Sequence, residues 1–210
     1  MTELLLIRHG RTPWNECERI QGRRDIGLSV AGRAQLADAR IPLQYAHFCW
    51  YASPLKRAVQ TAELLGARNL RTDARLMELD WGDWEGWTRR ELRARHGAAF
   101  AANEARGLDF RPPGGESPGE LRLRLRAWIA DMAASAEAGI TVTHKGIIQM
   151  ALSLATGWDL VSRAPQRLDW RCGHLFRVTH PAAELQVVRL NIALTAPGAS
   201  DVGARREGGE

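Results

Sequence analysis

Three places along the chain put reactive side chains directly after a short apolar run: Arg8-His9 after residues 3–7, Ser53 through Arg57 after residues 48–52, and His144-Lys145 after residues 140–143. An imidazole near neutrality can act as nucleophile or proton carrier. A guanidinium holds carboxylate or phosphate oxygens through paired hydrogen bonds. Two histidines and two arginines brought together would therefore suit an anionic substrate. Taken singly each is weak evidence, because a lone histidine after a strand is more often structural and an arginine in a helix's first turn is usually solvated. Everything depends on whether the surrounding elements make them converge.

Those elements are legible. The three runs are continuous rather than alternating, as in strands covered on both faces, and helical periodicity fills the stretches between them. This predicts an α/β three-layer sandwich with a central, mostly parallel sheet. Ser29 caps a helix through Val30, Ala34, Leu36 and Ala37 that ends before Pro42, and residues 55–66 form a second helix stopping at Gly66. Residues 117–138 form a third, with Ser117 and Glu120 as a capping box, and a fourth covers about 147–156 before Gly157. Residues 174–180 and 184–191 read as two further strands turning at Pro181. Ligands of open α/β sheets bind at the carboxyl ends of the strands, where these histidines and arginines stand.

Composition narrows the function further. With 210 residues, 45% hydrophobic and 25% charged, the chain suits one domain, expected over 1–196, followed by a disordered tail over 197–210. The net charge of +5 rests on arginine, with Lys56 and Lys145 the only lysines. The arginines are scattered among acidic residues and no helix-turn-helix, zinc-finger or RNP pattern occurs, which argues against a nucleic-acid partner. No apolar stretch is long enough for a membrane span or a signal peptide. Cys17, Cys49 and Cys172 are odd in number, far apart and without zinc-ligand spacing. A cytoplasmic location and no metal or other cofactor are expected.

The motifs resemble those of a known family. Arg8-His9-Gly10-Arg11-Thr12-Pro13-Trp14-Asn15 is similar to the R-H-G-x-T-x-W-N signature of the histidine phosphatase superfamily, the phosphoglycerate-mutase-like proteins. Gln21-Gly22, Asp25 with Leu28-Ser29 and Gly32, then Ser53-Pro54-Leu55-Lys56-Arg57-Ala58 with Gln60-Thr61-Ala62 continue the resemblance. Glu78 with Gly82, Trp84, Glu85 and Gly86, then Gly114-Gly115-Glu116-Ser117 and Thr143-His144 complete it, in the family's order over residues 4–150. Jointly the motifs are specific, although R-H-G alone is not.

The resemblance implies a phosphoglycerate mutase-like fold and a phosphomonoesterase for small phosphorylated metabolites. His9 would attack phosphorus, its other ring nitrogen held by a backbone carbonyl. Arg8 and Arg57 would grip the phosphoryl oxygens, His144 would add a contact that strengthens in the transition state, and Glu78 would protonate the leaving oxygen and then deprotonate water. Asn15, Gln21 and Gly22 resemble phosphate-binding positions, although Asn15 serves equally as a cap, and Ser117 is accounted for by capping alone. Of Trp81, Trp84 and Trp87, one is expected in the core and two at the pocket. His47, His96, His174 and His180 match nothing and are taken as structural or surface residues.

Lys145 stands where the family more often has Gly; it would either select a substrate with a second anionic group or point to solvent. The alternative activity is a phosphoglycerate mutase needing a bisphosphoglycerate primer. The compact stretch between Glu78 and Gly114 favours hydrolysis. The expected partner is a small phosphate ester, without nucleic acid or membrane, and homodimerisation is left open.

Overall fold

A computed structural model of the protein describes residues 1–194. The strands are β1 (Thr2–Arg8), β2 (Cys49–Ala52), β3 (Arg71–Thr72), β4 (Gly139–Thr143), β5 (Gly173–Val178) and β6 (Leu185–Ile192). The α-helices are α1 (Pro13–Glu16), α2 (Val30–Leu36), α3 (Lys56–Leu64), α4 (Arg89–Glu104), α5 (Pro118–Ser135) and α6 (Lys145–Thr156). One sheet runs β3-β2-β4-β1-β5-β6. The pairs β1–β4, β2–β4 and β2–β3 are parallel, and β1–β5 and β5–β6 antiparallel, so the sheet is mostly parallel with an antiparallel edge, and the expected fold class holds.

Strand alternation builds the two outer layers, because successive side chains point to opposite faces. Leu4 and Leu6 of β1 join Leu121, Leu125, Trp128 and Ile129 of α5 and Ile147, Ile148 and Ala151 of α6 in one core. Leu5 and Ile7 join Leu28, Leu36 and Ile140 on the opposite face, where Ala58 and Ala62 of α3 also close on Ala52 and Val142. Each fully buried leucine stabilises the fold by about 1.5–3 kcal/mol.

Four elements depart from the sequence reading. The helix after Ser29 ends at Leu36, before Pro42 as expected, whereas α5 stops at Ser135, three residues short of the expected 138. α4 had no assignment: its sequence is charged, and Gly97 with φ 48° and ψ −122° breaks the helical path, leaving little continuous periodicity to read. β3 is a two-residue edge strand with both residues exposed, too short to leave a pattern. α6 begins two residues earlier than expected, at Lys145 itself. The expected tail over 197–210 lies outside the described residues, as do the last two residues of the expected domain. No described helix is long and apolar enough to cross a membrane.

Candidate active site

The parallel pairing of the two central strands sets the site. Arg8 lies opposite Thr143 across β1 and β4, and the His9 amide donates to the Thr143 carbonyl at 2.9 Å. His9 and His144 therefore leave neighbouring strand ends side by side, with ring centroids 5.1 Å apart. His9 Nδ1 sits 2.7 Å from the Gly10 carbonyl oxygen. That acceptor requires a proton on Nδ1, so the neutral ring carries its lone pair on Nε2. The Gly10 amide donates to Thr61 Oγ1 at 2.9 Å and the Thr61 hydroxyl donates to the Arg57 carbonyl at 2.6 Å, which joins the His9 loop to the helix bearing Arg57.

Arg57 is fully buried. Its Nη1 donates to the Arg24 carbonyl and its Nη2 to the Gly22 carbonyl, both at 2.7 Å. Gly22 adopts φ +50°, which a side chain resists, and this turn aims its carbonyl at the guanidinium. Glu78 is held by amides: Oε1 accepts from Leu79 at 2.9 Å and from Gly146 at 3.1 Å, in the first turn of α6. A Cβ on Gly146 would lie 2.2 Å from Glu78 Oε1, so glycine permits the approach.

Arg8, His9, Arg57 and Glu78 line one cavity of about 670 Å³, a size suited to a small molecule. Asn15, Gln21, Gly22 and Lys145 line it too. His144 does not line it among the described residues; its ring is completely buried against His9. Four buried nitrogens here lack hydrogen-bond partners: Arg8 Nε, Arg57 Nε and both ring nitrogens of His144. Burial holds the His9 pKa well below its ordinary value, and the charges of Arg57 and Arg8 push it further the same way. His144 is lowered as well, by burial and then by Arg57. Both imidazoles are thus neutral near pH 7.

Several expectations are sharpened. Asn15 completes a capping box with Thr12 and Gln21 Oε1 accepts from the Thr12 hydroxyl at 2.9 Å, so both have structural duties beside the cavity. Ser117 caps α5. Trp84 is core and Trp81 lines the cavity as expected, whereas Trp87 packs against the core and carries Arg95 on its ring instead of lining the pocket. His174 is buried on β5, with Nδ1 accepting from the Asn191 amide. Among the described residues no cluster of His, Cys, Asp and Glu could hold a metal ion.

Sequence reasoning missed three contributors. Trp170 has Arg8 at 5.8 Å and Lys145 at 5.5 Å from its ring centroid; it lies in an aperiodic stretch with no signal to find. Arg89, at the start of the unassigned α4, lines the cavity against Trp81. Glu116 holds Arg124 through both carboxylate oxygens, while Arg124 also donates to the Glu78 carbonyl, fixing the backbone beneath Glu78. The Gly114-Gly115-Glu116 stretch was visible as a motif, but its partner was not.

The histidine phosphatase superfamily (branch 1) matches residues 4–193. A glucosyl-3-phosphoglycerate phosphatase from Mycobacterium tuberculosis is 37% identical over 137 residues, covering 63% of this chain and 60% of that protein, so the match spans less than two thirds of the relative's length. The solved structure of a mycobacterial glucosyl-3-phosphoglycerate phosphatase with VO3 superposes with a TM-score of 0.74 at 27% identity, over 92% of this chain and all of that one. A phosphoserine phosphatase from Entamoeba histolytica, solved with 3-phosphoglyceric acid, gives 0.76 at 25% identity over 91% of this chain and 97% of that one. With nearly its whole described length inside the match, this chain belongs to the histidine phosphatase superfamily, branch 1.

Proposed function

We propose that the protein is a metal-independent phosphomonoesterase that hydrolyses small phosphorylated metabolites through a phosphohistidine on His9. The observation that carries this reading is a neutral imidazole, its Nδ1–H committed to the Gly10 carbonyl, standing among cations whose buried Nε groups have no partner. A phosphate monoester carries about −1.5 to −2 charges at neutral pH. A neutral nucleophile can approach it without repulsion, and the free donors of Arg8 and Arg57 give its oxygens the partners they lack.

In the first step the Nε2 lone pair of His9 forms the N–P bond as the P–O bond to the leaving group breaks. The departing oxygen takes a proton from the carboxylic acid of Glu78. In the second step a water oxygen bonds to phosphorus, its proton returns to Glu78, and the N–P bond breaks to restore the neutral imidazole. His144 acts from beside His9, where a phosphoryl oxygen would provide the partner its ring now lacks. Asn15, Gln21 and Gly22 shape the phosphate end of the cavity, mainly by holding Thr12 and Arg57. The phosphatases it resembles, named for glucosyl-3-phosphoglycerate and phosphoserine, support small phosphorylated metabolites as the substrate class. Three unpaired cysteines fit a reducing cytoplasm.

Inorganic phosphate release from a panel of small esters, in excess chelator and without a bisphosphate primer, tests the reading. Release by the wild type and its loss in His9→Ala are expected. Turnover only with primer, as interconversion of phosphoglycerates, would instead establish a mutase.

A further inference from the structure

The cavity holds more positive charge than a phosphoryl group can balance. Its lining carries five cations, Arg8, Arg19, Arg57, Arg89 and Lys145, against two carboxylates, Glu78 and Glu104. With Glu78 carrying the proton it gives to the leaving oxygen, this leaves a surplus of four positive charges, and a bound phosphoryl group of about −1.5 to −2 leaves roughly two of them unmatched. The cation left without any polar partner can be identified. Arg57 and Arg8 line the cavity together with His9, Arg89 is paired with Glu104, and Arg19, without an ion pair, donates through Nη1 to the Gly86 carbonyl. Lys56–Asp25 is the only lysine ion pair among the described residues, so Lys145 has none.

Lys145 is also badly placed for stability. It is the first residue of α6, at the end of the helix where backbone N–H groups concentrate positive charge and a cation is disfavoured. Arg8 stands on the same indole as Lys145, 5.8 and 5.5 Å from the Trp170 ring centroid. An aromatic face attracts cations, so Trp170 keeps the ammonium beside the phosphoryl site while leaving it exposed to the cavity. A residue that breaks a local rule without structural return marks a functional position.

We propose that Lys145 is a specificity-determining residue that binds a carboxylate on the leaving group of the phosphate ester, with Trp170 as its positioning residue. The proposal rests on the hydrolase reading for its ester and names the class of that ester: a small monoester with one further negative charge. A carboxylate supplies the one charge that the single ammonium of Lys145 lacks.

Three probes of matched carbon skeleton test it: 3-phosphoglycerate, glycerol 3-phosphate and 2,3-bisphosphoglycerate. Phosphate release is measured for wild type, Lys145→Met, Lys145→Arg and Trp170→Leu, and binding of each probe is measured by calorimetry. Lys145→Met is expected to lose at least tenfold more kcat/KM on 3-phosphoglycerate than on glycerol 3-phosphate, chiefly through KM, and Lys145→Arg to recover most of it. Trp170→Leu is expected to reduce the same discrimination by a smaller factor. Equal losses on the two esters, or no loss, would overturn the role of Lys145, and tighter wild-type binding of the bisphosphate than of 3-phosphoglycerate would overturn the carboxylate. Calorimetry reads discrimination whether or not the chain turns over, so absent phosphate release counts against the hydrolase reading, and unchanged binding discrimination in Lys145→Met counts against this one.

Discussion

His9 can serve as a nucleophile because of where its two nitrogens sit. One is tied to the Gly10 carbonyl, and burial among Arg57 and Arg8 keeps the ring unprotonated, so the other holds a lone pair without help from a general base. Arg57 answers a different demand. Its two terminal nitrogens are committed to the carbonyls of Arg24 and Gly22, which locks the plane of the guanidinium and aims Nε. A lysine keeps the charge but cannot reproduce that fork. Arg57→Lys is therefore expected to lower kcat by about 10²–10³-fold, the usual cost of removing one preorganised donor to developing charge. Steady-state kinetics on the best ester checks this, and a rate within a few-fold of wild type would remove Arg57 from its assigned role.

At the scale of elements, parallel pairing of β1 with β4 puts two histidines side by side, and the first turn of α6 brings its Gly146 amide to Glu78. The central strands and the helices after Ser53, Ser117 and His144 were legible because continuous apolar runs, caps and glycine stops are local signals. α4, β3 and the stretch carrying Trp170 were not, since a helix broken at Gly97, a two-residue edge strand and an aperiodic loop leave no period to detect. The same division applies to the site. His9, Arg8, Arg57, Glu78 and His144 stand at strand ends or in motifs, whereas the contacts of Thr61 with Gly10, of Arg124 with Glu78 and of Trp170 with Arg8 depend on folding across long sequence separations. Gly146→Ala should separate position from fold: its Cβ would collide with Glu78 Oε1, so activity is expected to fall at least tenfold with the circular dichroism spectrum retained. Ser117→Ala, which removes only a helix cap, should cost about 1 kcal/mol of stability in urea titration and leave kcat near wild type. The reverse pattern in the two variants would contradict the placement of both.

For the whole molecule, catalysis and acid stability are linked. His9, His144 and His174 are all held below their ordinary value by burial, His174 at about 4. Below about pH 6.5 the unfolded chain takes up protons that the folded chain refuses. Stability is thus fully present above that pH and is lost as pH falls toward the lowered folded values, at about 1.4 kcal/mol per pH unit for each histidine in its window. The urea midpoint should drop markedly between pH 7.5 and pH 5; a midpoint that held or rose would mean these rings are not neutral in the folded protein. The most direct measurement is of the covalent intermediate itself: rapid acid-free quenching of turnover on a ³²P-labelled ester, followed by peptide mapping. Label is expected on the His9 peptide, stable in base and lost in acid, and absent from His9→Ala. Label on another residue, or phosphate release by His9→Ala at the wild-type rate, would contradict a phosphohistidine at His9.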